Sequence, residues 1–346
     1  MTMLQDPISE DRAWIGSRLK TTQEWITHLT QTDIQSIDEA LRYVSEKGLN
    51  WGEFDADSFP LLAFSDKLRE VGHTLKQGRG FVLLRGLPVE KYTLDEIKTI
   101  YWGLGTHLGS IVSQNAKGTL IEHITDKNPS NLGDPNLRSY VTNEAQPPHS
   151  DQTDVVSLLC VDRALEGGES VVVSSLAIYN RILTEHPEYL VPLYEGYYHD
   201  LRGEGESGDI NETSDVPVPV FSNYNNQFRA WFHSKKMRNG TRKKAVQLTP
   251  LQLEAMEYME ELGRDPDLRL DMQLERGDIQ LLNNYSTLHY RNAFVDGQGH
   301  KRLMLRLWIE LQEMGDFDPA MERWVRQGIP LRSWSKTKPV QALGDV

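Results

Sequence analysis

The chain has one cysteine, Cys160, in 346 residues. An internal disulfide is therefore excluded, and so few thiols suit a reducing compartment. No stretch approaches the roughly 18 consecutive apolar residues that would span a bilayer. The amino-terminal MTMLQDPISEDRAW is too acidic and too interrupted to form the apolar centre of a signal peptide. A cytoplasmic protein with no membrane partner is expected. Basic residues are outnumbered, 37 Lys and Arg against 50 Asp and Glu. The net charge of -13 would repel a phosphate backbone, and no Lys/Arg run compensates it, so a nucleic-acid partner is not expected. Internal repeats and low-complexity tracts are also missing.

What is present is an ordinary globular composition, 38% hydrophobic with 8 Trp, enough to bury a core without covalent staples. Closed or double-sheet β architectures run this long as one unit, so a single domain over residues 1–346 is expected. Residues 1–77 read as helical: Ile34, Ile37, Leu41 and Val44 recur at helical spacing after Asp33 and stop at Gly48, and Leu68, Val71 and Leu75 repeat the pattern. Residues 78–311 read as a β core. Its candidate strands are 80–85 (GFVLLR), 155–161, 170–174, 217–221, 279–282 and 303–311. Thr93 and Glu96 form a capping box for one flanking helix; Thr249, Pro250 and Gln252 start another. Two insertions interrupt the core, at about 114–148 and 195–270. The first, with DKNPSNLGDPN, has loop chemistry at a length that suggests a lid. Residues 312–346 read as a tail. The fold class is α+β with a mainly β core, a sandwich or roll.

Chemistry enters through His149 and Asp151. With 10 His and about one residue in seven acidic, on the order of one or two His-x-acid pairs arise by chance, and the chain has two. The other, His186-Pro-Glu188, ends a helix-like run at a proline and is read as a helix terminus. His149 follows Pro147-Pro148 and precedes a β-like run, and a strand with period two would put His149 and Asp151 on one face. Non-haem Fe(II) oxygenases need two His and one carboxylate on one face of the metal. His289, in LLNNYSTLHYRNAF, is the candidate third ligand; the plain alternative is a core histidine. In KRLMLRLWIEL, alternation puts Leu303, Leu305, Leu307 and Ile309 on one face and Arg302, Met304, Arg306 and Trp308 on the other. Covering the leucine face buries the two guanidinium groups, roughly 13 Å apart. Each then needs an anion, supplied by an internal carboxylate or by a ligand that an arginine fork grips. Gln114, Asn115 and Asn143 flank the long loop as candidate substrate contacts, and equally as turn or surface residues. His107, His123, His199 and His233 show no metal spacing.

These segments together resemble the taurine dioxygenase-like (TauD/TfdA) family of Fe(II)/2-oxoglutarate oxygenases. The resemblance rests on PPHSDQTD around His149, EGGES from Glu166 to Ser170, and LHYRNAFVDGQGHKRLMLRLWIEL from Leu288 to Leu311. It implies a double-stranded β-helix (jelly roll, cupin-like) with flanking helices, and an iron held by His149, Asp151 and His289 at one mouth. It further implies that Arg302 receives the far carboxylate of 2-oxoglutarate, and that Arg306 contacts an acidic substrate. Ser170 stands where the family usually has a threonine helping to hold that carboxylate, a departure that keeps the hydroxyl. The implied reaction takes Fe(II), 2-oxoglutarate and O2, and releases succinate and CO2 while a small anionic or amino-acid-like substrate is oxidised. Hydroxylation is the expected outcome, with desaturation or ring closure as alternatives. Two other classes share parts of the pattern: a non-catalytic anion-binding roll, and a zinc hydrolase, which would leave the buried arginines unexplained. A homo-oligomer is compatible with the sequence.

Overall fold

The computed structural model describes residues 3–127, 141–299 and 301–335. In chain order the strands are β1 (Ile26–His28), β2 (Phe81–Arg85), β3 (Gly109–Val112), β4 (Glu122–Ile124), β5 (Val155–Asp162), β6 (Glu166–Gly167), β7 (Ser170–Ser174), β8 (Phe221–Tyr224), β9 (Gln227–Ala230), β10 (Arg269–Met272), β11 (Ile279–Asn283), β12 (Thr287–Arg291), β13 (Phe294–Val295) and β14 (Leu303–Leu311). The helices are α1 (Gly16–Thr22), α2 (Gln31–Glu46), α3 (Ser65–Gln77), α4 (Leu94–Thr106), α5 (Ser175–Glu185), α6 (Leu190–Glu195), α7 (Ser234–Lys243), α8 (Pro250–Leu262) and α9 (Pro319–Val325).

Two sheets form the centre. In the larger, β1, β2, β11, β5, β14 and β3 lie side by side in that order, and β4 also pairs with β14; the smaller is β10, β7 and β12. Apart from the parallel β1/β2 pair, their ladders are antiparallel. The inner faces meet where Val172, Leu270 and Met272 of the smaller sheet pack with Val156, Leu282, Met304 and Trp308 of the larger. Both outer faces are also covered. Leu305, Leu307 and Ile309 lie under Ile37, Leu68, Leu75 and Ile100 of α2, α3 and α4. Val171, Val173 and Leu288 pack with Ile178 of α5 and Met256 and Met259 of α8. The alternation in β14 thus divides as expected: leucines outward under helices, Met304 and Trp308 inward between the sheets.

The expected helices form with small shifts. Thr30 caps α2: its hydroxyl accepts from the Asp33 N–H, and the Asp33 carboxylate accepts from the Thr30 N–H. The helix therefore starts before the apolar repeat does, because its first turn is polar. Just past its end, Gly48 has φ +66°, a conformation that costs glycine nothing. The capping boxes at Thr93/Glu96 and Thr249/Gln252 are both present.

Four expectations need correction. The strand read at 217–221 begins only at Phe221, and Val218 makes a single bridge to Tyr197; Pro217 and Pro219 have no N–H to give a ladder. The first 77 residues are not all helical, since β1 adds to β2; three residues are too few for a period of two to show. The start of the 114–148 insertion belongs to the sheet, with β4 on β14 and Gln114 bridged to Ile329. Residues 128–140, the middle of the expected lid, lie outside the described residues. Finally, the tail contains α9, whose Met321 and Val325 pack with Trp231 and Tyr285. No described helix is long and apolar enough to cross a membrane.

Candidate metal centre

Strand β12 carries His289, and residue 149 docks onto it through two backbone hydrogen bonds. The His149 N–H donates to the His289 carbonyl at 3.0 Å, and the His289 N–H to the His149 carbonyl at 2.9 Å. The strand expected through residues 149–151 reduces to this one bridge, with a second to His233. Asp151 is positioned by a side chain instead: its N–H donates to Asn284 Oδ1 at 2.8 Å. The result still brings the three residues together. His149 Nε2 lies 4.0 Å from Asp151 Oδ1, His289 Nε2 lies 3.9 Å from Asp151 Oδ2, and one ligand atom from each residue falls within 4.8 Å of the others.

The protonation states suit a metal. His149 Nδ1 is 2.9 Å from the Pro147 carbonyl. A carbonyl only accepts, so Nδ1 carries the proton and Nε2 keeps its lone pair. Burial lowers His149, and burial together with the neighbouring His149 ring pushes His289 down to about 3. Burial alone would raise Asp151, but Arg306, with the Trp308 N–H, outweighs it and holds the carboxyl well below the usual carboxylate range. Two neutral imidazoles thus face an ionised carboxylate, the forms in which all three donate to a divalent cation. Trp308 Nε1 donates to Asp151 Oδ2 at 3.0 Å and Arg306 Nη1 lies 3.3 Å from the same oxygen.

The two arginines of the β14 segment meet different surroundings. Arg306 pairs with Asp151, and its Nε donates to Gln114 Oε1 at 2.6 Å. Gln114 is itself buried; its Nε2 donates to the carbonyls of Leu120 and Arg306. Its amide holds Arg306 in place. Arg302, just before β14, is 3% exposed, and its Nη1 has no hydrogen-bond partner among the described residues. Its backbone N–H donates to Asp296 Oδ1. Gly168 of the EGGES segment, at φ +75°, sits close against this place: a Cβ would lie 3.2 Å from Phe294 Cβ and 3.3 Å from Arg302 Nε, tighter than ordinary contact. Ser170 is buried, but its hydroxyl donates to Gln280 Oε1 at 2.9 Å. Its proton is therefore committed to Gln280. Asn143 is exposed, and its carbonyl accepts from the Phe294 N–H at 3.1 Å. Asn115 bonds Glu122 at 3.3 Å, a loop contact. His186 and Glu188 form the exposed pair expected past a helix end.

Two neighbours of the site escaped the sequence reading. His233 lies with its ring centroid 5.3 Å from that of His149, and Arg202 Nη2 is 3.1 Å from its Nε2; no spacing ties residue 233 to 149. Arg291 stands two residues beyond His289 and is 6% exposed. Its place on a strand facing inward is a period-two signal that could have been read, had β12 been recognised.

The family profile described as "Taurine catabolism dioxygenase TauD, TfdA family" matches residues 44–308. Among curated proteins, FR-33289 synthase of Streptomyces rubellomurinus is 30% identical over 93% of this chain and 96% of its own length. The taurine hydroxylase-like protein SAT17 of Stachybotrys chartarum is 28% identical over 88% and 80%. Solved structures share the fold at lower identity. An asparagine oxygenase in complex with Fe(II), hydroxyasparagine and succinate has a TM-score of 0.66 at 13% identity, over 83% of this chain and 94% of that one. The oxygenase OrfP with Fe and alpha-ketoglutaric acid has 0.59 at 14%, over 82% and 93%. With the two-sheet core, the His–Asp–His cluster and a match covering most of its length, the chain belongs to the TauD/TfdA family of dioxygenases.

Proposed function

We propose that this dioxygenase hydroxylates a small, anionic or amino-acid-like organic substrate, with His149, Asp151 and His289 holding Fe(II) and Arg302 seating the far carboxylate of 2-oxoglutarate. We read the two facing sheets as a double-stranded β-helix with the metal at its mouth, and residues 1–346 as one catalytic unit. The observation that carries the reading is the buried Nη1 of Arg302, without a partner among the described residues, in a chain that also brings together three side chains able to hold a metal. A buried cation without a counterion is costly unless an anion arrives. Support for the substrate class comes from the asparagine oxygenase and OrfP, whose structures hold hydroxylated amino acids.

Bound Fe(II), with 2-oxoglutarate and O2, supplies oxidative decarboxylation: 2-oxoglutarate loses its C1 as CO2 and becomes succinate, taking one oxygen atom while the other goes to the substrate. The chain's own residues prepare that site. The Pro147 carbonyl orients His149 so that Nε2 is bare. Trp308 and Arg306 hold Asp151 ionised and fixed through Oδ2. Arg306 is already met by Asp151 and Gln114, so a substrate anion reaching it shares it with Asp151.

Anaerobic addition of Fe(II) and 2-oxoglutarate is expected to give the visible charge-transfer band of a chelated keto acid. His149→Ala and His289→Ala should each abolish it, and a normal band in either variant would refute the ligand set. Substrate-stimulated succinate release, screened with amino acids and small organic acids, then identifies the substrate; an enzyme that releases no O2-dependent succinate would not be an oxygenase.

A further inference from the structure

Arg291 and Arg302 share one buried place. His289 and Arg291 are two residues apart on β12 and so lie on the same face. Across the ladder they pair with Val172 and Ser170 of β7, and Ser170 pairs in turn with Met272 of β10. Val172 and Met272 belong to the inter-sheet core, so this is the inner face. Arg291 uses Nη2 to donate to the Glu144 carbonyl, while its Nε and Nη1 are buried without a partner among the described residues. The Arg291 and Arg302 guanidinium carbons lie 4.6 and 5.2 Å from the centre of the same Phe294 ring. Asp126 acts electrostatically on Arg291, and Asp296 on Arg302.

Two buried cations against one ring, each with N–H groups unpartnered among the described residues, call for an anion, and one carboxylate could answer both. We infer that Arg291 and Arg302 together seat the far carboxylate of 2-oxoglutarate, each fork donating to it over the shared Phe294 ring. This rests on the proposed 2-oxoglutarate chemistry and adds Arg291 as a second recognition residue. It also accounts for Ser170, whose proton goes to Gln280: a carboxylate held by two guanidinium groups does not need that hydroxyl as a donor. The Glu144 carbonyl on Arg291, with the Gln146 N–H donating to the Arg291 carbonyl at 2.9 Å, ties this seat to the segment that leads into His149.

The test compares 2-oxoglutarate with 2-oxopentanoate, which has the same chain length but a methyl group in place of the far carboxylate. Each is titrated into the anaerobic Fe(II) enzyme and followed by the charge-transfer band and by calorimetry. Arg291→Met should weaken 2-oxoglutarate by about 10-fold or more, the scale of a lost hydrogen bond to a charged group, and leave 2-oxopentanoate within about 2-fold. Arg291→Lys should retain part of the preference, which covers the case of a poorly folding Met variant. If Arg291→Met weakens both acids equally, or neither, the shared seat is wrong, and Arg291 serves only to hold the Glu144 segment. Absence of any band in the wild-type enzyme is a separate result and overturns the 2-oxoglutarate reading itself.

Discussion

Arg302 and Arg306 stand four positions apart, one just before β14 and one within it, both nearly inaccessible, yet they differ in what answers their charge. Arg306 meets the Asp151 carboxylate and the Gln114 amide. Arg302 has an Nη1 with no hydrogen-bond partner among the described residues and shares its ring neighbour Phe294 with a second cation. The sequence alone left two solutions open for a buried guanidinium, an internal carboxylate or a ligand; the first is seen at Arg306, and the second is the one we propose at Arg302. An answered charge is part of the fold's own electrostatics. An unanswered one is a site under strain until a ligand fills it, so removing each should have opposite consequences for the empty protein.

The largest effect is expected at the unanswered charge when its ligand is present. Losing one partner of a buried charge-assisted pair costs about 2 to 5 kcal/mol, roughly 30-fold to several-thousand-fold in affinity. Arg302→Met should raise the anaerobic 2-oxoglutarate dissociation constant by at least the lower factor while the Fe(II) affinity stays within a few-fold; an unchanged constant would remove the contrast. Next comes the answered charge without ligand. Breaking a buried pair by deleting one member costs about 3 to 5 kcal/mol, so Arg306→Met should lower the melting temperature of the metal-free protein by at least about 5 °C. Smaller, and opposite in sign, Arg302→Met should leave the metal-free protein as stable as wild type or raise its melting temperature by about 2 °C. Equal falls for Arg302→Met and Arg306→Met in scanning calorimetry would mean that both charges are answered within the protein.

The smallest expected effect sharpens the comparison from a third buried group. Asp154 accepts from the Leu311 N–H and the Tyr285 hydroxyl and pairs with Arg326, yet burial outweighs these partners and pushes it up to about 6 from the ordinary 3.8. Between those values the unfolded chain has lost the proton while the folded chain still holds it. Stability contributed by this group is therefore present below pH 4 and lost as pH rises towards 6. Asp154→Asn should flatten the fall in melting temperature over that window by about 2 °C, checked by melts at pH 4.5, 5.5 and 6.5. An unchanged slope would mean that Arg326 keeps Asp154 ionised throughout.

How much was legible follows from the range of the interactions. The capping boxes at Thr93 and Thr249 and the inward and outward faces of β14 are encoded within one turn or a few strand residues, so they could be read directly. The pairing of His149 with Asp151 was read for a partly mistaken reason. The spacing suggested a strand, whereas one backbone bridge and an Asn284 side chain do the positioning. Gln114 was singled out as polar and flanking, but its use depends on Arg306, 192 positions away. His233 carries no local signal of function because its neighbours His149 and Arg202 come from distant segments, whereas Arg291 is tied to His289 by the period of a strand that was not recognised.

The sequence by itself determined the residue types of the metal cluster, the helical cover of one sheet face and the burial of two arginines. Periodicity and capping act between near neighbours, and a covered leucine face forces the opposite face inward. Only the tertiary structure decided which arginine is answered. That depends on Asp151 arriving beside Arg306 from a separate segment, and on β12 bringing Arg291 to the same Phe294 ring as Arg302. The electrostatic balance of a buried charge is set by groups within a few ångströms in space, at whatever distance along the chain they lie.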